Sequence, residues 1–276
     1  MSASETSPLV LIRGAGDLAT GVALAFRACG FGVLMTEIPT PTAIRRTVSF
    51  ANAVFVGSQT VEGVRGLRAE PSTWAAIVAG GDVAVLVAPG PDVPAGASPL
   101  VVIDAIMAKR NLGTRPRDGA VVVALGPGFT APTDVDAVIE TARGHELGRI
   151  IRDGRASDDT GMPGGIEGKA GERVLRAPVD GVVEHVRAIG DIVAAGETVM
   201  RVGGRDVAAP FAGCLRGQIA AGLSVPRGLK IGDVDPRGEP SYAHLVSDKA
   251  RAVGRAALEA ALSLGRERGL LRIVAG

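Results

Sequence analysis

Short apolar runs alternate with stretches of helical periodicity through the first half of the chain. Buried strands are predicted from apolar runs at 9–12, 32–37, 83–88, 100–103 and 120–125. The helical stripe between the first two runs consists of Leu18, Val22, Phe26 and Cys29, and Gly30 ends it. Because strands that alternate with helices are typical of a parallel α/β layer, we expect such a sheet here.

The intervening segments have weaker patterns. Helices are predicted at 42–50, 72–79 and 246–266, a short strand at 53–56, an extended excursion at 61–65, and an edge strand or tail at 270–274. Small apolar residues recur at a spacing near four in 246–266. This stripe predicts that the last helix packs against the α/β layer.

A second pattern begins near Arg176 and repeats after 32 residues. Ala-Pro-x-x-Gly, followed by Gly-x-x-Val-x-x-Gly, occurs at 177–196 and again at 209–228. The pattern is typical of short strands joined by tight turns, and two such halves are expected to pack as a small all-β sandwich. It resembles the barrel-sandwich (lipoyl/biotinyl-like) domains, which carry lipoate or biotin on a lysine between their halves. Because 203–206 has no lysine here, we expect an unmodified sandwich that docks a partner or closes over a site.

Composition narrows the classes of protein. Hydrophobic residues make up 46% of the chain but aromatic residues only 3%, so the core must be built from small aliphatic side chains. A formal net charge of +1 does not favour nucleic acid as a partner. The two cysteines are far apart in sequence, which excludes a disulfide framework, and the histidines lack metal-ligand spacing. With no long apolar run and no apolar leader, we expect a cytoplasmic protein without a membrane partner.

A glycine-rich loop follows the first predicted strand and opens the first helix. Its pattern is Gly-x-Gly-x-x-Ala at 14–19, in which Gly14 would make the turn and Gly16 would let a ligand approach the backbone. The candidate binding residues are Gly14, Ala15, Gly16, Asp17 and Leu18. Helix N-terminal N–H groups attract anions, although Asp17 would repel a phosphate directly above it. The alternative is a plain tight turn that binds nothing.

Charged residues follow the next strands. Glu37 ends the second strand about twenty residues after the glycine loop, where dinucleotide-binding proteins place an acid for a ribose hydroxyl. Asp104 ends another strand, so both acids are predicted at the carboxyl edge of the sheet. Arg45 and Arg46 are predicted near the same edge and could hold a phosphate or carboxylate. Solvent-facing acids and paired surface arginines are the alternatives.

A second glycine-rich loop follows the strand at 120–125. Its candidates are Gly126 and Gly128, together with Glu140, Arg143 and His145 beyond a further short strand. An acid, a guanidinium and an imidazole this close together could hold a polar heterocycle or move a proton. The alternative is a turn in which these polar side chains hydrogen-bond only within the protein.

Several of these motifs together resemble the YqeB family, found in the accessory system of selenium-dependent molybdenum hydroxylases. The matching segments are 13–21, 36–39, 43–48, 126–129, 138–145 and 228–237, and the resemblance extends over about residues 8–275. It implies a role in maturation of a molybdenum enzyme or insertion of its cofactor. It also implies a Rossmann-like part similar to XdhC-type accessory proteins, which handle molybdenum cofactor.

The predicted architecture is a Rossmann-like α/β domain with a small barrel-sandwich domain and a C-terminal helix. Its segments are the α/β domain at 1–117, a β-rich connection at 118–170, the sandwich at 171–236 and the helical end at 237–276. A loop at 161–171 marks the domain boundary.

The leading functional hypothesis is an accessory or maturation protein for a molybdenum hydroxylase. Its cleft at the carboxyl ends of the strands would bind molybdenum cofactor (molybdopterin) or a nucleotide, and its protein partner would be the hydroxylase apoenzyme. An NAD(P)-dependent oxidoreductase and a non-catalytic scaffold that docks the hydroxylase are the alternatives. Whether a reaction is catalysed, and whether the chain forms a homo-oligomer, are left open.

Overall fold

Strands dominate the first half of the chain, and few helices separate them. The computed structural model describes residues 7–159 and 167–271. The elements of the first half are β1 Leu9–Arg13, α1 Asp17–Ala28, β2 Gly32–Glu37, the 3₁₀ turns Arg46–Val48 and Phe50–Asn52, α2 Ala53–Val56, β3 Ser58–Val61, β4 Val64–Ala69, α3 Trp74–Ala79, β5 Val83–Val87, β6 Val101–Asp104, β7 Val121–Leu125, β8 Ala137–Ile139 and β9 Ile150–Ile151.

Among the described residues these strands form one nine-stranded sheet in the order β3-β4-β5-β2-β1-β6-β7-β8-β9. Neighbouring strands from β4 to β8 in this order pair in parallel, and β3 and β9 pair antiparallel at the two edges. The expected α/β layer with a parallel-rich sheet is therefore confirmed. Its strand order reverses at β1, with β2 and β5 on one side and β6 to β8 on the other. In open α/β sheets, ligands bind outside the carboxyl ends of the strands at such a reversal.

The second half of the chain contains two smaller sheets and a long helix. Its elements are the 3₁₀ turn Gly171–Arg173, β10 Val174–Arg176, β11 Gly181–His185, β12 Ile192–Val193, β13 Thr198–Val202, β14 Arg205–Ala208, β15 Gly213–Gln218, β16 Ser224–Val225, β17 Lys230–Asp235, the 3₁₀ turn Pro240–Ala243 and α4 Asp248–Glu267. The expected antiparallel sheets and C-terminal helix are confirmed.

The 32-residue repeat is visible in the strand order of the two sheets. Within the described residues, one sheet runs β10-β17-β15-β12 and the other runs β14-β13-β11-β16. Each strand of the first sheet corresponds to a strand of the second at a sequence offset of 32, as Gly181 of β11 does to Gly213 of β15. The two sheets share one core that includes Val183, Met200 and Leu215. Each half therefore buries the apolar face of the other; a closed barrel is not formed by these strands.

Helix α4 returns to the first sheet and packs against α1. Its N-cap is Ser247, whose hydroxyl accepts a hydrogen bond from the Ala250 amide at 3.1 Å. The two helices approach closely because each has a glycine at the crossing. An added Cβ on Gly21 would lie 2.4 Å from the Ala250 carbonyl oxygen, and one on Gly254 would lie 2.4 Å from the Gly21 oxygen. The close approach of α1 and α4 therefore depends on glycines at the crossing and not on large apolar side chains.

Two local predictions are wrong. Residues 42–50 contain only short 3₁₀ turns instead of a helix, because Arg45 and Thr47 donate side-chain hydrogen bonds to distant backbone carbonyls and the segment follows the surface it contacts. Residues 53–56 form α2 and not a strand, because a four-residue apolar run is ambiguous and Gly57, with φ +84°, ends a helical turn here.

The excursion at 61–65 is the turn of the β3–β4 hairpin. Parts of two further predictions, the boundary loop at 161–171 and the tail at 270–274, lie outside the described residues.

Candidate functional site

A cleft of about 480 Å³ lies at the carboxyl edge of the large sheet, where the strand order reverses. Most of its lining comes from residues at the carboxyl ends of β1, β2, β5 and β6 or just after them. Representative residues are Gly16, Glu37, Gly90 and Ile106, one from each strand end. The connections after these strands converge because parallel strands end at the same edge of a sheet.

Gly14 makes the turn that carries the chain from β1 into α1. Its φ is +90°, and an added Cβ would lie 2.9 Å from the Ala105 carbonyl oxygen behind β6. Its amide donates to the Thr36 carbonyl at 2.8 Å, which joins the turn to β2. Gly16 differs, because its φ is −65° and an added Cβ would meet no atom within 4 Å. The fold therefore requires a glycine at position 14 but leaves open space beside position 16.

The Glu37 carboxylate lies on the glycine loop. Its Oε2 accepts a hydrogen bond from the Ala15 amide at 2.9 Å, and its Oε1 accepts one from the Ile38 amide at 2.7 Å. Burial raises the pKa of Glu37, and these two hydrogen bonds oppose the rise. Ala15 itself is buried and reaches the cleft only through this contact. The Ala15 amide of the loop is therefore already hydrogen-bonded to a carboxylate of the protein.

Asp17 also turns back onto the protein. Its Oδ1 accepts from the Leu18 amide at 2.9 Å, and its Oδ2 lies 3.8 Å from Nη1 of Arg45. Asp17 and Leu18 line both the cleft and a second cavity beside it. The side chain of Asp17 therefore stands between the two cavities, at the start of α1.

The second cavity, of about 400 Å³, is rich in cations, and we call it the cation cavity. Its charged lining consists of Asp17, Arg45, Arg143, Arg173, Arg216, Lys230, Asp233 and Lys249. These residues come from the α/β part, from the 3₁₀ turn Gly171–Arg173, from the sandwich strands β15 and β17, and from α4. The cavity shares Gly16, Thr42 and Ala43 with the cleft, so the two are continuous around the start of α1.

Arg45 lies deep in the cation cavity, with 9% of its side chain exposed. One nitrogen, Nη2, donates to the carbonyls of Tyr242 and Leu245 at 2.9 and 2.8 Å. Its Nε and Nη1 have no hydrogen-bond partner among the described residues. Burial first, and then the neighbouring charge of Arg216, lower the pKa of Arg45 to about 10. The guanidinium is therefore incompletely solvated and incompletely bonded within the protein.

Several residues predicted from the sequence lie outside both cavities. Asp104 is buried, and its carboxylate is bonded to Nη1 of Arg13 at 3.0 Å and to the Thr114 hydroxyl at 2.5 Å. Arg46 points toward the sandwich, where its Nε donates to the Gln218 carbonyl at 2.8 Å. His145 is exposed in a turn.

The second glycine loop supports the cleft from behind. An added Cβ on Gly126 would lie 2.7 Å from the Thr141 hydroxyl, and one on Gly128 would lie 2.5 Å from the Arg110 amide nitrogen. The same added Cβ on Gly126 would lie 3.2 Å from the Met107 side chain, which lines the cleft. The loop thus packs against residues 107–110 and does not line the cleft itself.

The side chains of Glu140 and Arg143 have different partners although the two residues are close in sequence. The Glu140 carboxylate is buried and accepts from the amides of Thr141, Ala142 and Ser157 at 2.6–2.7 Å. Arg143 lines the cation cavity and makes a two-point contact with Asp248, at 2.7 and 2.9 Å. The acid, guanidinium and imidazole of this stretch therefore do not form one cluster.

Sequence reasoning missed four residues of the cation cavity: Arg173, Arg216, Lys230 and Lys249. They are far apart along the chain, and only the contact between the sandwich, α4 and the large sheet brings them together. Lysine usage was the one available signal. The chain has four lysines, and two of them line this cavity.

Neither a metal cluster nor a spanning helix occurs in the described part of the chain. Within residues 7–159 and 167–271, His, Cys, Asp and Glu side chains form no group of three that could hold a metal ion. In the same residues every helix is too short or too polar to cross a membrane.

Sequence comparison gives one informative relative, and no family model matches the chain. The chain is 49% identical over 257 residues to the uncharacterized protein YqeB of Escherichia coli K12. It is similar to YqeB. This similarity supports the resemblance drawn from the motifs. The aligned part covers 93% of this chain but 48% of YqeB, so the chain spans about half the length of this relative.

Solved structures give only remote likenesses. An aspartoacylase family protein from Mesorhizobium loti has a TM-score of 0.28 and 14% identity, covering 83% of this chain and 85% of that one. The product-bound ectoine utilization protein EutE (DoeB) from Ruegeria pomeroyi has a TM-score of 0.25 and 13% identity, with coverages of 83% and 85%. TM-scores below 0.5 do not establish a shared fold.

Proposed function

We propose that the chain is a cofactor-handling protein that binds a nucleotide or a phosphate-bearing pterin, such as molybdenum cofactor, in the cleft. The observation that carries this proposal is the combination of an open Gly16 and an incompletely bonded Arg45 at the start of α1. A glycine whose Cβ would meet nothing is not required by packing, whereas a ligand that approaches the backbone would require it. A helix N-terminus beside a buried guanidinium is suited to an anion.

The cleft fits a ring as well as a phosphate. Its walls are mainly apolar, from Ile38, Ala88, Ile106 and Met107, and its base carries the Glu37 carboxylate. Carboxylate oxygens accept hydrogen bonds from the N–H groups of purine or pterin rings. A flat ring would lie between the apolar walls, while Glu37 orients it and the start of α1 holds its phosphate. A molybdenum atom would arrive on its pterin.

The strand order also favours a Rossmann-like interpretation. Counted along the chain, the parallel strands β4-β5-β2-β1-β6-β7-β8 have the order 3-4-2-1-5-6-7, which becomes the 3-2-1-4-5-6 order of dinucleotide-binding sheets when the outer strand β4 is left out. The Glu37 carboxylate, however, already accepts from the Ala15 and Ile38 amides. We therefore favour a bound group that differs from NAD in pose or identity over an NAD(P)-dependent oxidoreductase. The role as accessory protein to a molybdenum hydroxylase rests on the YqeB resemblance, and we assign no reaction.

A substitution that fills the cleft tests this proposal. Gly90 lines the cleft, and an added Cβ there would meet no atom within 4 Å, so Gly90→Trp adds a large side chain at the cleft without a clash at its Cβ. Wild-type protein should bind at least one of ATP, NADH and molybdopterin by isothermal calorimetry. Gly90→Trp should weaken that binding at least about tenfold, and Gly90→Ala should not. Equal binding by the tryptophan variant, or no binding of any of the three by the wild type, would refute the proposal.

A further inference from the structure

The cation cavity holds more positive charge than the protein itself neutralises. Arg143 is paired with Asp248, and Arg173 with Asp233. Four cations then remain, Arg45, Arg216, Lys230 and Lys249, and Asp17 is the one lining carboxylate left to face them. Arg216 also lies 3.6 Å from Asp233 and 3.7 Å from Asp235, but these acids bond more closely to Arg173 and Arg237. The surplus amounts to about three charges.

The four unneutralised cations of this cavity are buried or half-buried. Arg45 and Arg216 expose 9% and 11% of their side chains, and Nε of each has no hydrogen-bond partner among the described residues. Burial lowers the pKa of both lysines, Lys230 and Lys249, and of Arg216. Concentrating unneutralised cations away from water is costly, and an anion that enters the cavity would relieve that cost.

We propose that the cation cavity is the polyphosphate subsite of the cleft, and that the ligand carries a terminal di- or triphosphate chain. This inference rests on the proposed function, since the ring of the same ligand would lie in the cleft. The surplus of about three positive charges matches a di- or triphosphate better than a monophosphate, which carries about −1.5 to −2 at neutral pH. The subsite is assembled by the sandwich and α4 against α1, so it is additional to the glycine loop.

Asp17 has a defined part in this subsite. Its carboxylate accepts a hydrogen bond from the Leu18 amide and lies 3.8 Å from Arg45. The first phosphate would bind at this same place, beside the start of α1. Asp17 therefore acts as an internal anion that competes with phosphate. Removing its charge should strengthen phosphate binding, whereas removing a cation should weaken it.

The test uses inorganic phosphate, pyrophosphate and tripolyphosphate, titrated into the 276-residue chain at constant ionic strength. Affinity should rise along this series. Lys230→Met and Lys249→Met should each weaken pyrophosphate binding about tenfold or more, and Asp17→Asn should strengthen it by a similar factor. Both lysine side chains are half-buried and stand outside the ion pairs described above, so both variants should fold as the wild type does. Lys109→Met, which removes a cation outside both cavities, is the matched control and should change nothing.

Equal affinity for phosphate and tripolyphosphate, or unchanged pyrophosphate binding in both lysine variants, would overturn the inference. Titrating AMP, ADP and ATP separates it from the proposed function. Rising affinity from AMP to ATP that is lost in Lys249→Met supports both. Binding of AMP and ATP with equal affinity would support the proposed function but refute the polyphosphate subsite. Lysine-dependent binding of pyrophosphate, without binding of any nucleotide or pterin, would support an anion site but refute ring binding in the cleft.

Discussion

At the scale of single residues, the two glycines of the first loop have different functions. Gly14→Ala would place a Cβ at φ +90° and 2.9 Å from the Ala105 carbonyl, so we expect a loss of about 1–3 kcal/mol in unfolding free energy. Gly16→Ala, at φ −65° with open space around it, should cost within about 1 kcal/mol but should weaken ligand binding. Urea unfolding and calorimetry on the same pair of variants check both statements. Equal stability losses at the two positions would contradict them.

Glu140 gives a pH-dependent prediction. Although burial alone would raise the pKa of Glu140, the hydrogen bonds from Ala142, Ser157 and Thr141 outweigh it and lower the pKa. A lowered pKa in the folded state means that the contribution of the carboxylate is complete above its unfolded pKa of about 4.3 and is lost as pH falls through the folded value. Glu140→Gln should cost about 1–3 kcal/mol at pH 7, and this difference should shrink in acid.

Urea unfolding of wild type and Glu140→Gln at pH 7, 5 and 3.5 measures that difference. Glu259→Gln, an exposed change on α4, is the control and should stay near the wild type throughout. A Glu140→Gln deficit that is the same at pH 7 and pH 3.5 would show that the charge of this carboxylate is not what stabilises the turn.

At the scale of elements, the close α1–α4 contact controls the geometry of the cation cavity. Gly254→Leu would put side-chain atoms where the Gly21 carbonyl already lies 2.4 Å from an added Cβ, so the helices must separate. We expect a loss of about 1–3 kcal/mol in unfolding free energy, together with weaker pyrophosphate binding because Lys249 moves with α4. Arg255→Leu, on the exposed side of the same helix, should change neither quantity. Wild-type unfolding and binding in Gly254→Leu would contradict this description of the contact.

Element-scale patterns explain how much could be predicted from sequence. Features that depend on a local pattern of apolar residues could be predicted. They are the strands β1, β2, β5, β6 and β7, the apolar stripes of α1 and α4, and the 32-residue repeat. The helix predicted at 42–50 is wrong because partners of this segment, such as Tyr242 and Leu245, are about two hundred positions away, whereas the strand predicted at 53–56 is wrong because so short an apolar run is ambiguous. Separation along the chain also decides which site residues could be predicted. The glycine loop and Glu37 belong to one local strand–helix–strand pattern, whereas Lys230 and Lys249 come from distant segments and could not be assigned to the cavity beside the cleft.

At the scale of the whole molecule, the large sheet, the sandwich and α4 meet around the start of α1. The first supplies the cleft, and the other two supply most cations of the cavity beside it. Arg45 and Arg46 connect these parts by donating to the carbonyls of Tyr242, Leu245 and Gln218. These contacts hold the sandwich and α4 beside the cleft, so the sandwich can line the proposed ligand site without a modified lysine.

For the molecule as a whole, we expect the cleft to hold a phosphate-bearing ring compound. Native mass spectrometry of the 276-residue chain, prepared anaerobically from molybdenum-replete cells, should compare the wild type with Gly90→Trp and Gly90→Ala. We predict a wild-type adduct with the mass of a nucleotide or phosphate-bearing pterin, absent from Gly90→Trp and retained in Gly90→Ala. A wild-type chain that carries no such adduct, and acquires none when ATP, NADH or molybdopterin is added, would contradict the account.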